Sequence, residues 1–229
     1  MKRITHVKIL FLAIMIALLV NPAYAAPVSS LPGGTIIPMP GVNYFGSGPQ
    51  TFGPGNSITW TSTNVINQGG SVFGYTGGYG FGDNGYWDGS LDPMTGVNSA
   101  AYVYSVTDTM TFAFSTPVKG VGGFINYYPD QQTPTTIAVY DTNMNLIESE
   151  ALTFHTGGSA NSGEFHGFLE SSPTIKYFTL SDNYVGITKL TIDTGSGLPA
   201  PEFPSAFLPA TMIIGFLGAV LLIQRTREH

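Results

Sequence analysis

The central part of this chain contains no stretch with helical periodicity, and its apolar residues come in short alternating runs. Gly, Pro, Asn and Asp separate the runs, as they do between strands. Residues 109–115 are typical, because their alternation puts Met110, Phe112 and Phe114 on one face of a strand. A chain patterned in this way is expected to fold into sheets rather than into a helical bundle.

A predicted hairpin supports the same conclusion. In residues 135–140, Ile137 and Val139 share a face, residues 141–145 have turn composition, and residues 146–154 form the return strand. Further strands are predicted at 174–181 and 186–193, and no internal repeat is apparent. We therefore predict an all-β domain over residues 26–193, an antiparallel β-sandwich that is jelly-roll-like in type.

The N-terminus has the three parts of a secretory signal. Three basic residues precede 12 uninterrupted apolar residues, 9–20, a run too short to span comfortably a bilayer core of about 30 Å. Ala23 and Ala25 then supply the small residues that signal peptidase requires. We predict that residues 1–25 are a signal peptide, with a short helix, that is cleaved after Ala25. The alternative is an uncleaved N-terminal anchor.

The C-terminus is predicted to be a membrane anchor. Residues 207–223 are 17 uncharged residues, at the lower limit for a transmembrane helix. Arg225 and Arg227 follow, and the positive-inside rule keeps this basic tail, residues 224–229, in the cytoplasm. The large domain then lies outside the cell, joined to the helix by a linker over residues 194–206.

Charge and cysteine content exclude several functions. Residues 26–200 contain three lysines, no arginine and 12 acidic residues, a net charge of −9, so nucleic-acid binding is excluded. The chain has no Cys, which excludes disulfides, thiolate metal sites and a thiol nucleophile.

The linker carries a recognisable motif. It resembles the archaeal PEF-CTERM sorting signal, in which the motif precedes an apolar helix and a basic end; the matching residues are Pro201, Glu202, Phe203, Pro204 and Ser205. The resemblance covers about 30 residues. It implies recognition by an archaeosortase-like membrane enzyme that removes the hydrophobic tail, so these residues would be a substrate for another protein. The two prolines keep this peptide extended, which suits such a role.

The ectodomain is similar to that of bacterial surface proteins that carry the analogous PEP-CTERM signal. The matching segments are residues 80–89 (GFGDNGYWDG), 110–118 (MTFAFSTPV) and 121–124 (VGGF), within a similarity over roughly residues 70–193. Residues 185–190 lack the acidic pair that is usual in the last strand. The resemblance implies a secreted β-sandwich with an extracellular role and no established activity.

Residues 69–89 contain nine Gly, and two sets of candidate ligand-binding residues lie in this segment or just after it. Oxygen ligands on a flexible loop suit Ca²⁺, and the candidates are Asp83, Asn84, Asp88 and Asp92. Exposed aromatic rings could stack on a sugar, and the candidates are Tyr79, Tyr86 and Trp87. The alternatives are an Asp/Asn/Gly turn set and aromatic side chains that fill the core.

One imidazole–carboxylate set lies outside the terminal signals. Glu164 and His166 are predicted to share one face of a strand, and His155 lies nearby in the sequence. A zinc or acid–base role is conceivable, although no third ligand is evident. The alternative is a pair of polar residues on a solvent-exposed face.

These patterns favour a secreted, surface-anchored, non-enzymatic envelope protein that acts in adhesion, envelope structure or ligand recognition. Its expected partners are signal peptidase, an archaeosortase-like enzyme and the membrane. The alternative is a calcium-assisted carbohydrate-binding module that recognises an extracellular glycan at the cell surface, and an extracellular hydrolase is the third possibility.

Overall fold

The computed structural model describes residues 25–64, 70–89, 99–104, 107–129, 133–182 and 184–195. Of the predicted signal peptide, only Ala25 is described, and Ala23 lies outside these residues. The predicted sorting motif and C-terminal helix also lie outside them, as do Asp92, Arg225 and Arg227. Within the part that is described, no helix has the length and apolar character needed to cross a bilayer. The described chain forms antiparallel strands and two short 3₁₀ turns, Pro54–Asn56 and Gly82–Asn84, as the all-β prediction requires.

Two large sheets account for most of the strands. The larger sheet has the order β1 (Ala26–Val28), β14 (Glu164–Leu169), β11 (Gly120–Tyr127), β16 (Val185–Asp193), β9 (Ala100–Val103), β6 (Ser71–Tyr75) and β3 (Tyr44–Phe45), with β2 (Thr35–Ile36) also paired to β16. The smaller sheet has the order β13 (Leu146–Ala151), β12 (Thr136–Tyr140), β15 (Ile175–Ser181), β10 (Thr109–Val118), β5 (Ile58–Ser62) and β4 (Gln50–Phe52). A separate hairpin pairs β7 (Tyr79–Gly80) with β8 (Tyr86–Trp87).

The two sheets pack face to face around one main core. Rings from opposite sheets are in contact: the centroids of Trp60 and Phe73 are 5.3 Å apart and those of Phe168 and Phe178 are 6.4 Å apart. All four side chains are at most 1% exposed. This arrangement is a β-sandwich, and burial of apolar side chains such as these rings supplies the main driving force for folding.

The predicted strand and hairpin are confirmed. Met110, Phe112 and Phe114 of β10 are buried while the residues between them are partly exposed. β12 and β13 pair antiparallel, and the Asp141 carboxylate accepts the backbone N–H groups of Asn143 and Asn145 at 2.7 and 2.9 Å in the turn between them. Hydrogen bonds with Asn145 hold the pKa of Asp141 below its usual value.

A second, smaller cluster lies on the outer face of the larger sheet. Ala101 and Val103 of β9 belong to the main core, so the alternating Ala100 and Tyr102 point away from it. The β7–β8 hairpin and its connecting turn cover them. We call this group the outer cluster; its buried residues are Val72, Phe81, Trp87, Ala100 and Tyr102.

Candidate functional site

The Gly- and aromatic-rich segment supplies the cover of the outer cluster. Trp87 is 7% exposed, its indole Nε1 donates a hydrogen bond to the Ser162 carbonyl at 2.7 Å, and its ring centroid is 4.9 Å from that of Phe81. Since the faces of this indole are occupied by protein, they are not available to a sugar. Trp87 therefore packs in the outer cluster and does not present the sugar-stacking surface that the sequence predicted.

Tyr79 and Tyr86 have different environments. The Tyr79 ring stacks on Tyr102, with centroids 3.8 Å apart and planes 19° apart, and burial raises the pKa values of both phenols above the usual range. This coplanar pair lies within the outer cluster rather than on the surface. Tyr86 is 49% exposed, so it keeps an accessible ring among the three aromatic residues that the sequence indicated.

Asn84 anchors the Gly-rich segment. Its side chain is fully buried: Oδ1 accepts the Thr156 N–H at 3.0 Å, and Nδ2 lies 3.4 Å from the Phe154 carbonyl oxygen, to which it donates. The Asn84 carbonyl accepts hydrogen bonds from Asn126 Nδ2 at 3.0 Å and Thr156 Oγ1 at 2.7 Å. These bonds satisfy polar groups that would be costly to bury alone. They give the Asn84 side chain a structural role in place of an open position for a cation.

The carboxylates predicted to accompany Asn84 do not form a cluster in the described part of the chain. Asp83 and Asp88 are exposed, and Asp92 lies outside the described residues. Among those residues, no group of three or more His, Cys, Asp or Glu side chains is arranged to hold a metal. The calcium prediction thus stays a prediction.

Three tyrosines line up at one end of the larger sheet. Tyr128 follows β11, Tyr184 precedes β16 and Tyr104 follows β9, and these strands are neighbours. The Tyr128 N–H donates to the Tyr184 carbonyl at 3.0 Å, which continues the ladder one residue beyond the strands. We call Tyr104, Tyr128 and Tyr184 the tyrosine row.

The side chains of the tyrosine row point to the outer face of the larger sheet, away from the main core. The adjacent strand residues Tyr127, Val185 and Val103 pair in register and are buried in the main core. Because side chains alternate along strands, the next residues project to the opposite side. Tyr104 is 48% exposed, whereas Tyr128 and Tyr184 are partly buried.

The rings of the row form a corner rather than a flat platform. The centroids of Tyr104 and Tyr184 are 3.8 Å apart with planes at 86°, and those of Tyr128 and Tyr184 are 5.7 Å apart at 46°. Hydrogen bonding with Tyr104, followed by burial, raises the pKa of Tyr184 to about 12. The Tyr184 hydroxyl is therefore protonated at neutral pH and can act as a hydrogen-bond donor or acceptor.

Gly82 connects the Gly-rich segment to the row. Its φ of +58° lies in the left-handed region, where glycine is strongly favoured. A side chain there would overlap the Tyr128 ring. The backbone next to Asp83 therefore lies against the row.

His166 forms a separate group at the edge of the sandwich. Its Nδ1 is 3.1 Å from Glu150 Oε1 on β13, its Nε2 is 3.5 Å from Glu164 Oε2 on its own strand, and Phe154 stacks on its ring at 5.1 Å. The predicted shared face of Glu164 and His166 agrees with this arrangement. Glu150, on the other sheet, could not be predicted from local spacing, and His155 is exposed.

No protein-family model and no curated protein sequence matches the chain. Among solved structures, it is similar to a fucose binding module from Streptococcus pneumoniae, with 13% identity over 42% of this chain and 71% of that one and a TM-score of 0.28. It is also similar to CBM32-3 from a family 31 glycoside hydrolase of Clostridium perfringens, with 12% identity over 42% and 75% and a TM-score of 0.28.

A third similar structure is the low affinity xylan binding module CBM86 from Roseburia intestinalis. The identity is 14% over 47% of this chain and 85% of that one, with a TM-score of 0.20. At TM-scores this low, these likenesses assign neither a family nor a ligand to the chain.

Proposed function

We propose that this protein is a non-enzymatic module of the cell surface that binds a neutral glycan through the tyrosine row. The observation that carries the proposal is the convergence of three tyrosines from neighbouring strand ends on one outer face, with Tyr104 about half exposed. Aromatic rings offer flat apolar area to a sugar ring, and phenol hydroxyls offer hydrogen bonds at the ring edge. A corner of two perpendicular rings suits one terminal sugar better than a long flat chain.

Charge favours a neutral ligand over an acidic one. Lys119 and Lys176 lie near the opposite end of the sandwich, beside the β10–β11 turn and at the start of β15. Lys189 lies along β16, with its ammonium 5.4 Å from the Phe124 ring centroid. Exposed Asp83 follows Gly82, whose backbone lies against the row. An anionic sugar would meet an acidic surface here, at an energetic cost.

The hydrolase alternative has weaker physical support. Acid–base catalysis needs groups that converge on a bond in an accessible cleft. In the described part of the chain, the His166 group is a hydrogen-bonded cluster whose imidazole face is covered by Phe154. It is at the edge of the sandwich, on β13 and β14, and not in the tyrosine row.

An array of immobilised glycans tests the proposal. We expect the purified protein in mild detergent to retain neutral mono- and oligosaccharides and to discriminate against their sialylated or uronate-containing counterparts. Retention of acidic glycans alone, or of none, would contradict it.

Calcium assistance is a separate part of the proposal. Asp83 and Asp88 offer exposed carboxylate oxygens on the Gly-rich segment, and a cation bound there could also contact sugar hydroxyls. We expect calcium to raise the melting temperature by about 2–5 °C at saturation. We expect Asp83→Asn to reduce that shift and Asp193→Asn, a control at the opposite end of β16 from Tyr184, to preserve it. A melting temperature that does not respond to calcium would eliminate this component.

We also propose that the protein reaches the surface as a precursor and is processed at both ends, with a jelly-roll-like domain between a signal helix and a C-terminal transmembrane helix. Support comes from the sequence patterns of residues 1–25 and 201–227. Mass spectrometry of protein from its native membrane should find no peptide that contains residues 207–229. Recovery of that peptide from the mature protein would refute processing by an archaeosortase-like enzyme.

A further inference from the structure

Glu170 is a buried carboxylate with an incomplete set of partners. It follows β14, its side chain is 4% exposed, and it accepts backbone N–H groups from Ser171 and Ala25. Its Oε1 atom is buried and has no hydrogen-bond partner. Among the described residues, no basic nitrogen lies within ion-pair distance of it. Burial raises the pKa of Glu170 above its usual value, and nearby Glu148 adds to the shift.

Glu170 lies next to the first residues that the structure describes, Ala25 and Ala26. β1 pairs with β14 in antiparallel register, with Ala26 opposite Leu169. Continuing the register by one residue places Ala25 opposite Glu170, which agrees with the hydrogen bond between them. Ala25 is 2% exposed and is the last residue of the predicted signal peptide.

We infer that Glu170 is the binding site for the α-ammonium group of a mature chain that begins at Ala26. The inference rests on the proposed cleavage after Ala25. Hydrolysis of that peptide bond adds one water, leaving a carboxylate on the released Ala25 and an ammonium group on Ala26. The cleavage removes the Ala25 N–H that Glu170 accepts and supplies a cation one residue away.

Replacing the Ala25 N–H by the Ala26 ammonium group as the partner of Glu170 stabilises the mature form for electrostatic reasons. A buried carboxylate without a counter-charge is unfavourable, whereas a hydrogen-bonded ion pair compensates for much of the cost of removing it from water. Departure of the buried Ala25 also leaves space in which the two groups can approach each other. The ion pair would tie β1, the edge strand of the larger sheet, to the end of β14.

The test compares residues 26–229 in detergent with a free or an acetylated N-terminus. Acetylation of the denatured chain at mildly acidic pH, before refolding, modifies the α-amine selectively, because the lysine amines stay protonated. We expect the free form to melt about 4 °C higher. Glu170→Gln should abolish the difference between the two forms, whereas Glu164→Gln, an exposed carboxylate elsewhere on β14, should preserve it.

Two results would overturn the inference. One is a difference between the free and acetylated forms that is unchanged by Glu170→Gln, since the two groups would then be uncoupled. The other is a native mature protein whose N-terminal residue, identified by sequencing, is not Ala26. Neither readout involves a sugar, so the glycan proposal succeeds or fails separately.

Discussion

Tyr104→Ala is expected to weaken binding of a neutral oligosaccharide by about 10- to 100-fold, which corresponds to about 1.4–2.8 kcal/mol. Tyr104 has the most exposed ring of the tyrosine row, at 48%, and its hydroxyl is hydrogen-bonded to Tyr184. Truncation would remove both the apolar face and one wall of the corner. Since the side chain is half exposed, the melting temperature should change by no more than about 3 °C. Titration calorimetry and thermal melting measure the two effects.

Two control variants distinguish the row from other exposed aromatic residues. Tyr104→Phe keeps the ring and loses the hydroxyl, so it should retain more affinity than Tyr104→Ala. Tyr86→Ala removes an equally exposed ring, at 49%, from the β7–β8 hairpin. We expect it to bind as the wild type does. If Tyr86→Ala abolished binding and Tyr104→Ala did not, the site would be on the hairpin, where the sequence pattern had placed it.

Trp87→Ala is expected to have the largest effect on stability, about 3–5 kcal/mol of the free energy of unfolding. The variant creates a cavity beside Phe81 and Tyr102 and leaves the Ser162 carbonyl without its indole donor. For a domain of this size, the melting temperature should fall by about 8–15 °C. Chemical denaturation monitored by circular dichroism measures the change.

Trp87→Phe serves as the matched control, because it keeps most of the ring packing and loses the indole donor. It should be destabilised by roughly half as much as Trp87→Ala or less. A loss below about 1 kcal/mol for Trp87→Ala would mean that the hairpin is not held by the outer cluster. The packing role assigned to Trp87 would then be wrong.

Local pattern was sufficient to predict the strands whose two faces meet different environments. In β10, the buried Met110, Phe112 and Phe114 alternate with partly exposed residues, so period-two reasoning applies directly. The Asp141 turn was predictable for a similar reason, since its hydrogen bonds are made within four residues. Such features depend on neighbours in the sequence.

The candidate site depends on contacts between distant residues, which a local pattern does not specify. Tyr104, Tyr128 and Tyr184 each lie next to a strand end, and only the order β11–β16–β9 makes them neighbours. In the Gly-rich segment, composition alone could not determine whether a ring would face solvent or the outer cluster. Asn84 is another example, because its partners Asn126 and Thr156 are 42 and 72 residues away.

The central claim, that the tyrosine row binds a neutral sugar, is tested most directly by mapping where a sugar contacts the protein. Selective isotope labelling of tyrosine rings, with NMR spectra recorded during titration with the neutral glycan that ranks highest on the array, reports each ring separately. The account predicts that ring signals of Tyr104, Tyr128 and Tyr184 shift together with one dissociation constant, while those of Tyr86 and Tyr140 do not. Saturable shifts confined to tyrosines outside the row, or no shifts at all, would contradict it.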